Sequence, residues 1–396
     1  MRILITTFTY PPNKDGVAEA CRALAEGLAD LGWEVCVATD GRAEVESTPS
    51  LRIMNGVQIH YFKFGDYSVR KTKETADSLN YQEFARNGRF DIVVNQCWDV
   101  RATLDLEPIM PSLRVKRVLV SHGYAAHAYQ WHPSLTMGLG KWLRGLNFTF
   151  RRFPKSIKAY DKLIFLSPQK GIGRFFDHTI ASLMRHPGIE TIANGVDLAQ
   201  FQASDEGFRQ CHGIGDAPMA LCVANYCDRK NQRLAVEAFR KANVPGSVLV
   251  CIGSELNAYG LGVVQLDELL QKSYPACRVL LLEHLSREET FAAFTACDLV
   301  LLAAKAETQP IVLIEAMAAG KPWISTNTGC VATMAGGLVC KRKSHLVEAI
   351  RKLLLNHALR VGLGSQGRHQ AENQHDIKNN VARFDSIFRE LAHRPA

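Results

Sequence analysis

The chain of 396 residues lacks any window of roughly 18 uncharged apolar residues, so no segment is expected to cross a bilayer as a helix. It also lacks a CxxC pair. Its 11 cysteines stand singly, as Cys21, Cys222, Cys251 and Cys297 do in apolar stretches. That odd, scattered set argues against a disulfide framework or a zinc site and for small core residues in a reducing compartment. The histidines lack metal-ligand spacing and no strand ends in D-x-D, so no resident metal and no cofactor is expected. No G-x-G-x-x-G follows the first strand, which argues against a nicotinamide dehydrogenase. Internal repeats and low-complexity runs are absent.

What is present fits an ordinary globular chain of about two domains. At 47% hydrophobic and 22% charged residues, disordered and collagen-like classes are excluded. The start, Met1 to Thr7, reads as a buried strand followed at once by polar and turn residues. It is too short for a signal-peptide core, so a cytoplasmic location is expected. The net charge of +8 favours anionic partners such as phosphates or acidic lipid.

Strand and helix alternate along the first half. Arg2 to Phe8 reads as a strand, and a Pro-Pro loop runs from Pro11 to Gly16. Val17, Cys21, Leu24, Leu28 and Leu31 then mark one face of a helix that Gly32 ends. Trp33–Thr39 completes a βαβ unit, and Ile59–Phe62, Ile92–Asn95, Val118–Ser121 and Leu163–Leu166 read as further strands. A second series offers Ala220–Ala224, Val248–Gly253, Val279–Leu282, Leu299–Ala303 and Trp323–Thr326, with helices at Asn231–Ala242 and Arg287–Cys297 between them. The expected fold is α/β: two doubly wound, Rossmann-like domains facing a cleft, with ligand sites at the carboxyl ends of strands. The first is expected over 1–190 and the second over 191–375. A last helix, 376–396, is expected to pack back on the first.

The strongest local signal runs from Glu307 to Gly320. Pro310 suits a first helical turn, which puts Glu307 in the preceding loop and Glu315 on a helix apolar on nearly every other side. A carboxylate there is costly unless something bonds to it, and a ribose diol offers two donors. Glu307 is placed to accept from sugar hydroxyls. The amides of Ile311 and Val312, free at a helix start, suit a diphosphate. From spacing alone, a solvated Glu at an amphipathic helix end fits equally well.

The segment resembles the E-x7-E signature of the large family of retaining glycosyltransferases, group 1 or family 4, that includes sucrose and trehalose-phosphate synthases and many bacterial polysaccharide enzymes. The opening strand, Pro-Pro loop and helix resemble that family's first unit. Ala193-Asn194-Gly195-Val196-Asp197 resembles its lead into the second domain, and Ala224 to Asn231 resembles its phosphate loop. The resemblance implies the GT-B fold and transfer of a hexosyl group from a nucleotide-diphosphate-sugar donor to a glycan or lipid-linked acceptor, as in cell-surface polysaccharide synthesis. It implies that Glu307 contacts the donor sugar, Glu315 the ribose and Lys230 the diphosphate. It also puts Gly16 near the donor phosphates and His122, at a strand end, near the donor sugar. A lone His or Lys is otherwise more often structural or solvated.

Two positions depart from the pattern. The family's loop arginine falls on Asn225, with Arg229 nearby as a substitute cation, and its first loop glycine falls on Asp15, whose charge would repel a diphosphate. Those departures are the only support for one alternative, a non-catalytic nucleotide-sugar-binding protein of the same fold; a GT-B nucleotide-sugar epimerase, which would convert its donor with no acceptor, is another. With no metal expected, Lys230, Arg229 and helix N-termini must stabilise the leaving diphosphate.

No acidic residue lies between Pro108 and Tyr160, where nine basic ones do. Segment 141–158 interleaves them with Trp142, Phe148, Phe150 and Phe153, as interfacial helices do, which suggests an anionic membrane surface at the inner face as a partner. A helix covering the first domain with its cations in water accounts for the same pattern. Nucleic acid is not expected, because no recognition motif accompanies the charge.

Overall fold

The computed structural model describes residues 1–13, 15–41, 51–64, 76–98, 100–124, 151, 153–171, 173–201 and 207–393. The chain divides into two compact units, one of Met1–Ala193 with Lys378–Ala396 and one of Asn194–Ile377.

Among the described residues, the first unit holds an eight-stranded sheet. Its strands are β1 (Arg2–Thr6), β2 (Glu34–Asp40), β3 (Leu51–Met54), β4 (Val57–Phe62), β5 (Ile92–Gln96), β6 (Lys116–Ser121), β7 (Lys162–Phe165) and β8 (Ile189–Thr191), in the order β3-β4-β2-β1-β5-β6-β7-β8. All neighbours are parallel except β3 with β4. That hairpin turns at Asn55-Gly56, both at positive φ. Asn-Gly between short apolar runs is a strong hairpin signal, yet the sequence reading placed only the second strand there. The inner strands are buried on both faces, as a sheet covered by helices requires. The helix Gly16–Asp30 buries Cys21, Leu24 and Leu28. The returning helix Ile377–His393 lies beside it. Trp33 Nε1 donates to Asp385 at 2.7 Å, and Gly27 leaves no room for a Cβ against Val381.

Of segment 141–158, only residues 151 and 153–158 are among the described ones. Here the membrane reading needs correction at one residue. Phe153 is 1% exposed, stacked on Tyr124 at 4.6 Å and edge-on to Trp98 at 4.9 Å. Ile157 on the same short helix, Phe153–Lys158, is also buried. Aromatic packing in the core takes Phe153 out of reach of a bilayer. Arg151, Lys155 and Lys158 are exposed.

The second unit holds a wholly parallel sheet of β9 (Met219–Val223), β10 (Val248–Gly253), β11 (Arg278–Glu283), β12 (Leu299–Leu302), β13 (Trp323–Thr326) and β14 (Gly337–Cys340). Their order among the described residues is β11-β10-β9-β12-β13-β14. The chain therefore reverses direction across the sheet between β9 and β12, the place where open α/β sheets bind ligands. Apolar runs such as Val248 to Ile252 and Leu299 to Leu302 are buried on both faces. The helix Gln232–Ala242 packs Ala235, Val236, Ala238 and Phe239 against them.

Candidate active site

In the second unit, the loops leaving the carboxyl ends of β9 and β12 carry the charged side chains singled out from the sequence, and the loop after β11 adds Arg287. After β9 the chain makes a tight turn: the amides of Lys230 and Asn231 both donate to Cys227 O, at 3.0 and 3.1 Å. Asn231 takes a left-handed conformation, φ 57°, which Asn tolerates better than most residues, and its side chain donates to Ala303 O at 3.2 Å. The turn is tied from the other side by Lys305 N, which donates to Arg229 O at 2.9 Å. Buried Gln232 donates from Nε2 to the carbonyls of Ala224 and Asn225, both at 3.0 Å. The exposed residue Asn225 is thus held at its backbone carbonyl.

After β12 comes Glu307, 8% exposed. Its Oε1 meets Lys230 Nζ at 2.7 Å and Arg229 Nη1 at 3.2 Å. Arg229 therefore supplies a second cation in the loop where Asn225 supplies none. The Lys230 ammonium has three N–H donors, and Glu307 takes one of them. The helix Ile311–Ala318 follows, with Pro310 as an extended N-cap rather than a first-turn residue and no side chain capping it. The amides of Ile311 and Val312 head that uncapped end. Glu315 sits on it at 3% exposure, between residues that are all buried. Arg287, after β11, donates from Nη2 to Glu315 Oε1.

Several residues given no site role from the sequence also shape this loop. Asn194 N donates to Gln309 Oε1 at 2.6 Å, so the Asn-Gly-Val-Asp motif anchors the residue before Pro310. Thr328 Oγ1 accepts from Glu307 N at 2.8 Å. Gly329, at φ +55°, lies where a Cβ would fall 2.2 Å from Thr308 O, so only glycine lets these two stretches approach. Arg287 was passed over although Ser286-x-x-Glu289 is a legible capping box that fixes a helix start at that residue.

In the first unit, His122 follows β6 and its Nε2 lies 2.8 Å from Gln96 Oε1 at the end of β5. Burial pushes the imidazole down to about 4, with the Asp15 charge acting the other way. The ring is therefore neutral near pH 7. Facing a carbonyl oxygen, Nε2 carries the single N–H and Nδ1 is left to accept. The ring resonances of His122 are expected to show no titration between about pH 8 and pH 5. A midpoint near the ordinary 6.5 in an NMR titration would contradict this. Between about 6.5 and 4, acid protonates the unfolded chain before the folded one, so this group lowers stability as pH falls.

Asp15 does not stand as a loose charge beside Gly16. It is the N-cap of the helix Gly16–Asp30, and its Oδ1 accepts from Val17 N at 2.9 Å, Ala18 N at 3.0 Å and Thr9 Oγ1 at 3.2 Å. The amides that a phosphate would use at that helix start are taken by the chain's own carboxylate. Among the described residues no group of three or more His, Cys, Asp or Glu converges as a metal-ligand set, and no helix is long and apolar enough to cross a membrane.

Residues 204–370 match the family described as Glycosyl transferases group 1, and residues 15–169 match the Glycosyl transferase 4-like domain. The chain belongs to the group 1 glycosyltransferases. No curated protein sequence matches it. Among solved structures it is similar to sucrose-phosphate synthase from Thermosynechococcus elongatus, at 18% identity and TM-score 0.75 over 98% of both chains. It is also similar to HepE of Anabaena, solved with UDP and glucose, at 14% identity and TM-score 0.72 over 98% of this chain and 100% of that one. WaaG, a glycosyltransferase involved in lipopolysaccharide biosynthesis, aligns at 20% identity and TM-score 0.65 over 98% of this chain and 99% of that one. With two α/β units built on largely parallel sheets, these likenesses establish the GT-B fold.

Proposed function

We propose that the protein is a retaining, metal-independent hexosyltransferase that uses a nucleotide-diphosphate-sugar. The observation that carries this reading is the pair of buried carboxylates eight residues apart, Glu307 and Glu315, each met by a cation from another strand's loop. In this reading Glu315 accepts from the ribose hydroxyls. Glu307, with Oε1 given to Lys230 and Arg229, offers Oε2 to the donor sugar. The two remaining N–H donors of Lys230 and the amides of Ile311 and Val312 hold the diphosphate and stabilise the charge it gains on leaving. His122 contributes a neutral hydrogen-bonding ring. The first unit is assigned the acceptor, a glycan or lipid-linked intermediate of cell-surface polysaccharide synthesis. Support for a nucleotide-sugar donor comes from HepE, solved with UDP-glucose. Retention rests on the resemblance at Glu307 to Glu315.

The test is incubation with a panel of nucleotide-sugars and polyprenyl-linked or free glycan acceptors. Release of nucleoside diphosphate that depends on acceptor, with the product keeping the donor's anomeric configuration, is the expected result. Donor consumption without acceptor dependence would favour an epimerase, and no consumption a binding protein. Lys230, Arg229 and the helix amides supply the positive charge that a metal would otherwise bring, so transfer is expected to survive EDTA. Activity lost to EDTA and restored by magnesium or manganese would overturn the metal-independent part. Exposed Arg151, Lys155 and Lys158 leave an electrostatic part of the membrane reading in place, each contributing about 1 kcal/mol near an anionic surface. Salt-sensitive co-sedimentation with phosphatidylserine vesicles is expected, weakened by changing the three residues to Gln. No co-sedimentation at low salt would retire it.

A further inference from the structure

Glu315 is buried on a helix whose neighbouring positions, Leu313, Ile314, Ala316 and Met317, are apolar and buried as well. Among the described residues its one charged partner is Arg287. The Arg287 side chain is 40% exposed and the Glu315 side chain 4%, so the guanidinium reaches the buried carboxylate from nearer the surface, through Oε1. Arg287 is itself held in place. It is the first residue of the helix Arg287–Ala296, whose start is fixed by a capping box. Ser286 N donates to Glu289 Oε2 at 2.7 Å, and Glu289 N donates to Ser286 Oγ at 3.1 Å. One turn on, the guanidinium lies over the Phe291 ring, 4.4 Å from its centroid. A flat guanidinium suits both the stacking and the directed hydrogen bond, and an ammonium suits neither as well.

A carboxylate can rotate about its last bond, so an unheld one presents its oxygens to a diol in many orientations. Fixing Oε1 by a directed bond from a stacked, pre-set guanidinium leaves Oε2 in one place. We infer that Arg287 is a positioning residue for ribose recognition. By holding Oε1 of Glu315 it presents Oε2 to the sugar hydroxyls of the nucleotide. The inference rests on the ribose role proposed for Glu315. If Arg287 served only to neutralise a buried charge, its loss would lower stability but leave the preference for ribose over deoxyribose untouched.

The experiment measures binding by calorimetry for whichever of UDP, GDP or ADP binds best, and for its deoxyribose counterpart. Wild type, Arg287→Ala, Arg287→Lys and Glu315→Ala are compared, each checked for folding by circular dichroism. Wild type is expected to prefer the ribonucleotide and Glu315→Ala to lose that preference. Arg287→Ala should lose about tenfold in affinity for the ribonucleotide, the scale of one hydrogen bond to a charged group, and little for the deoxy form. Arg287→Lys should fall between, and it carries the test should Arg287→Ala not fold. If the arginine variants keep the wild-type ratio of affinities while Glu315→Ala loses it, Arg287 has no positioning role and the ribose assignment stands. Tighter ribonucleotide binding by Arg287→Ala would likewise overturn the inference, showing that the arginine competes for the site. If wild type shows no preference and Glu315→Ala binds as wild type does, the ribose assignment fails and the inference falls with it.

Discussion

Lys230→Ala is expected to cut turnover by about a hundredfold to a thousandfold, the range for removing one preorganised group that meets developing charge. Its effect on nucleotide binding should be far smaller. The reason is timing. The diphosphate gains charge as the glycosidic bond breaks, and a cation set beside it is worth most in that transition state. In the proposed reading Lys230 is that cation, and the structure holds it in place: its turn is closed on Cys227 O, and its ammonium is held 2.7 Å from Glu307 Oε1. The substitution also takes from Glu307 its nearer partner, leaving Arg229, whose side chain is 50% exposed. Part of the lost turnover would then reflect a Glu307 no longer fixed toward the sugar. Lys230→Arg separates the two contributions by keeping the charge while changing its reach. Steady-state turnover and nucleotide titration on folded variants provide the measurement. Unchanged turnover in Lys230→Ala, with Arg229→Ala inactive, would move the leaving-group role to Arg229.

Glu315→Ala is expected to weaken nucleotide binding by about 1.5–3 kcal/mol, the scale of hydrogen bonds to a charged group. In a folded protein that is roughly a tenfold to hundredfold rise in Kd. Two consequences of the substitution oppose each other. The ribose hydroxyls lose their acceptor, and Arg287 is released from its partner and becomes free to meet the diphosphate. Because the Arg287 side chain is 40% exposed, water takes up much of its charge and the loss of the acceptor dominates. Glu315→Gln, which keeps shape and one acceptor oxygen, should bind more strongly than Glu315→Ala. Nucleotide affinity equal to wild type in both variants would sink the ribose assignment.

Much of the fold was legible because its signals are local. Apolar runs bounded by turns marked β10 and β13 at the bounds the structure shows, Val248–Gly253 and Trp323–Thr326. Helical spacing marked the Gly16–Asp30 and Gln232–Ala242 helices, with ends shifted by a residue or two. Glu307 stands in a loop and Glu315 on a helix for a reason carried by the chain itself: a proline and then an unbroken apolar run. Less legible were the short outer strands β3 and β8, where few residues are buried and periodicity has little to act on.

Sequence alone determined which residues carry charge at the carboxyl ends of strands, since that follows from the order of apolar run, loop and helix start. Tertiary structure decided what each charge meets. Arg287 and Glu315 lie 28 residues apart, and Arg229 and Glu307 lie 78 apart. No local rule pairs them. They meet because the sheet order sets β9 beside β12 and because parallel pairing makes the loops after β9, β11 and β12 all leave at the carboxyl ends of the strands. In the same way Phe153 turned into an aromatic core against Trp98 and Tyr124. An aromatic goes where water can be displaced, and such a place exists only once distant parts of the chain have packed. Asp15, by contrast, caps its own helix through amides two and three residues on, a local contact.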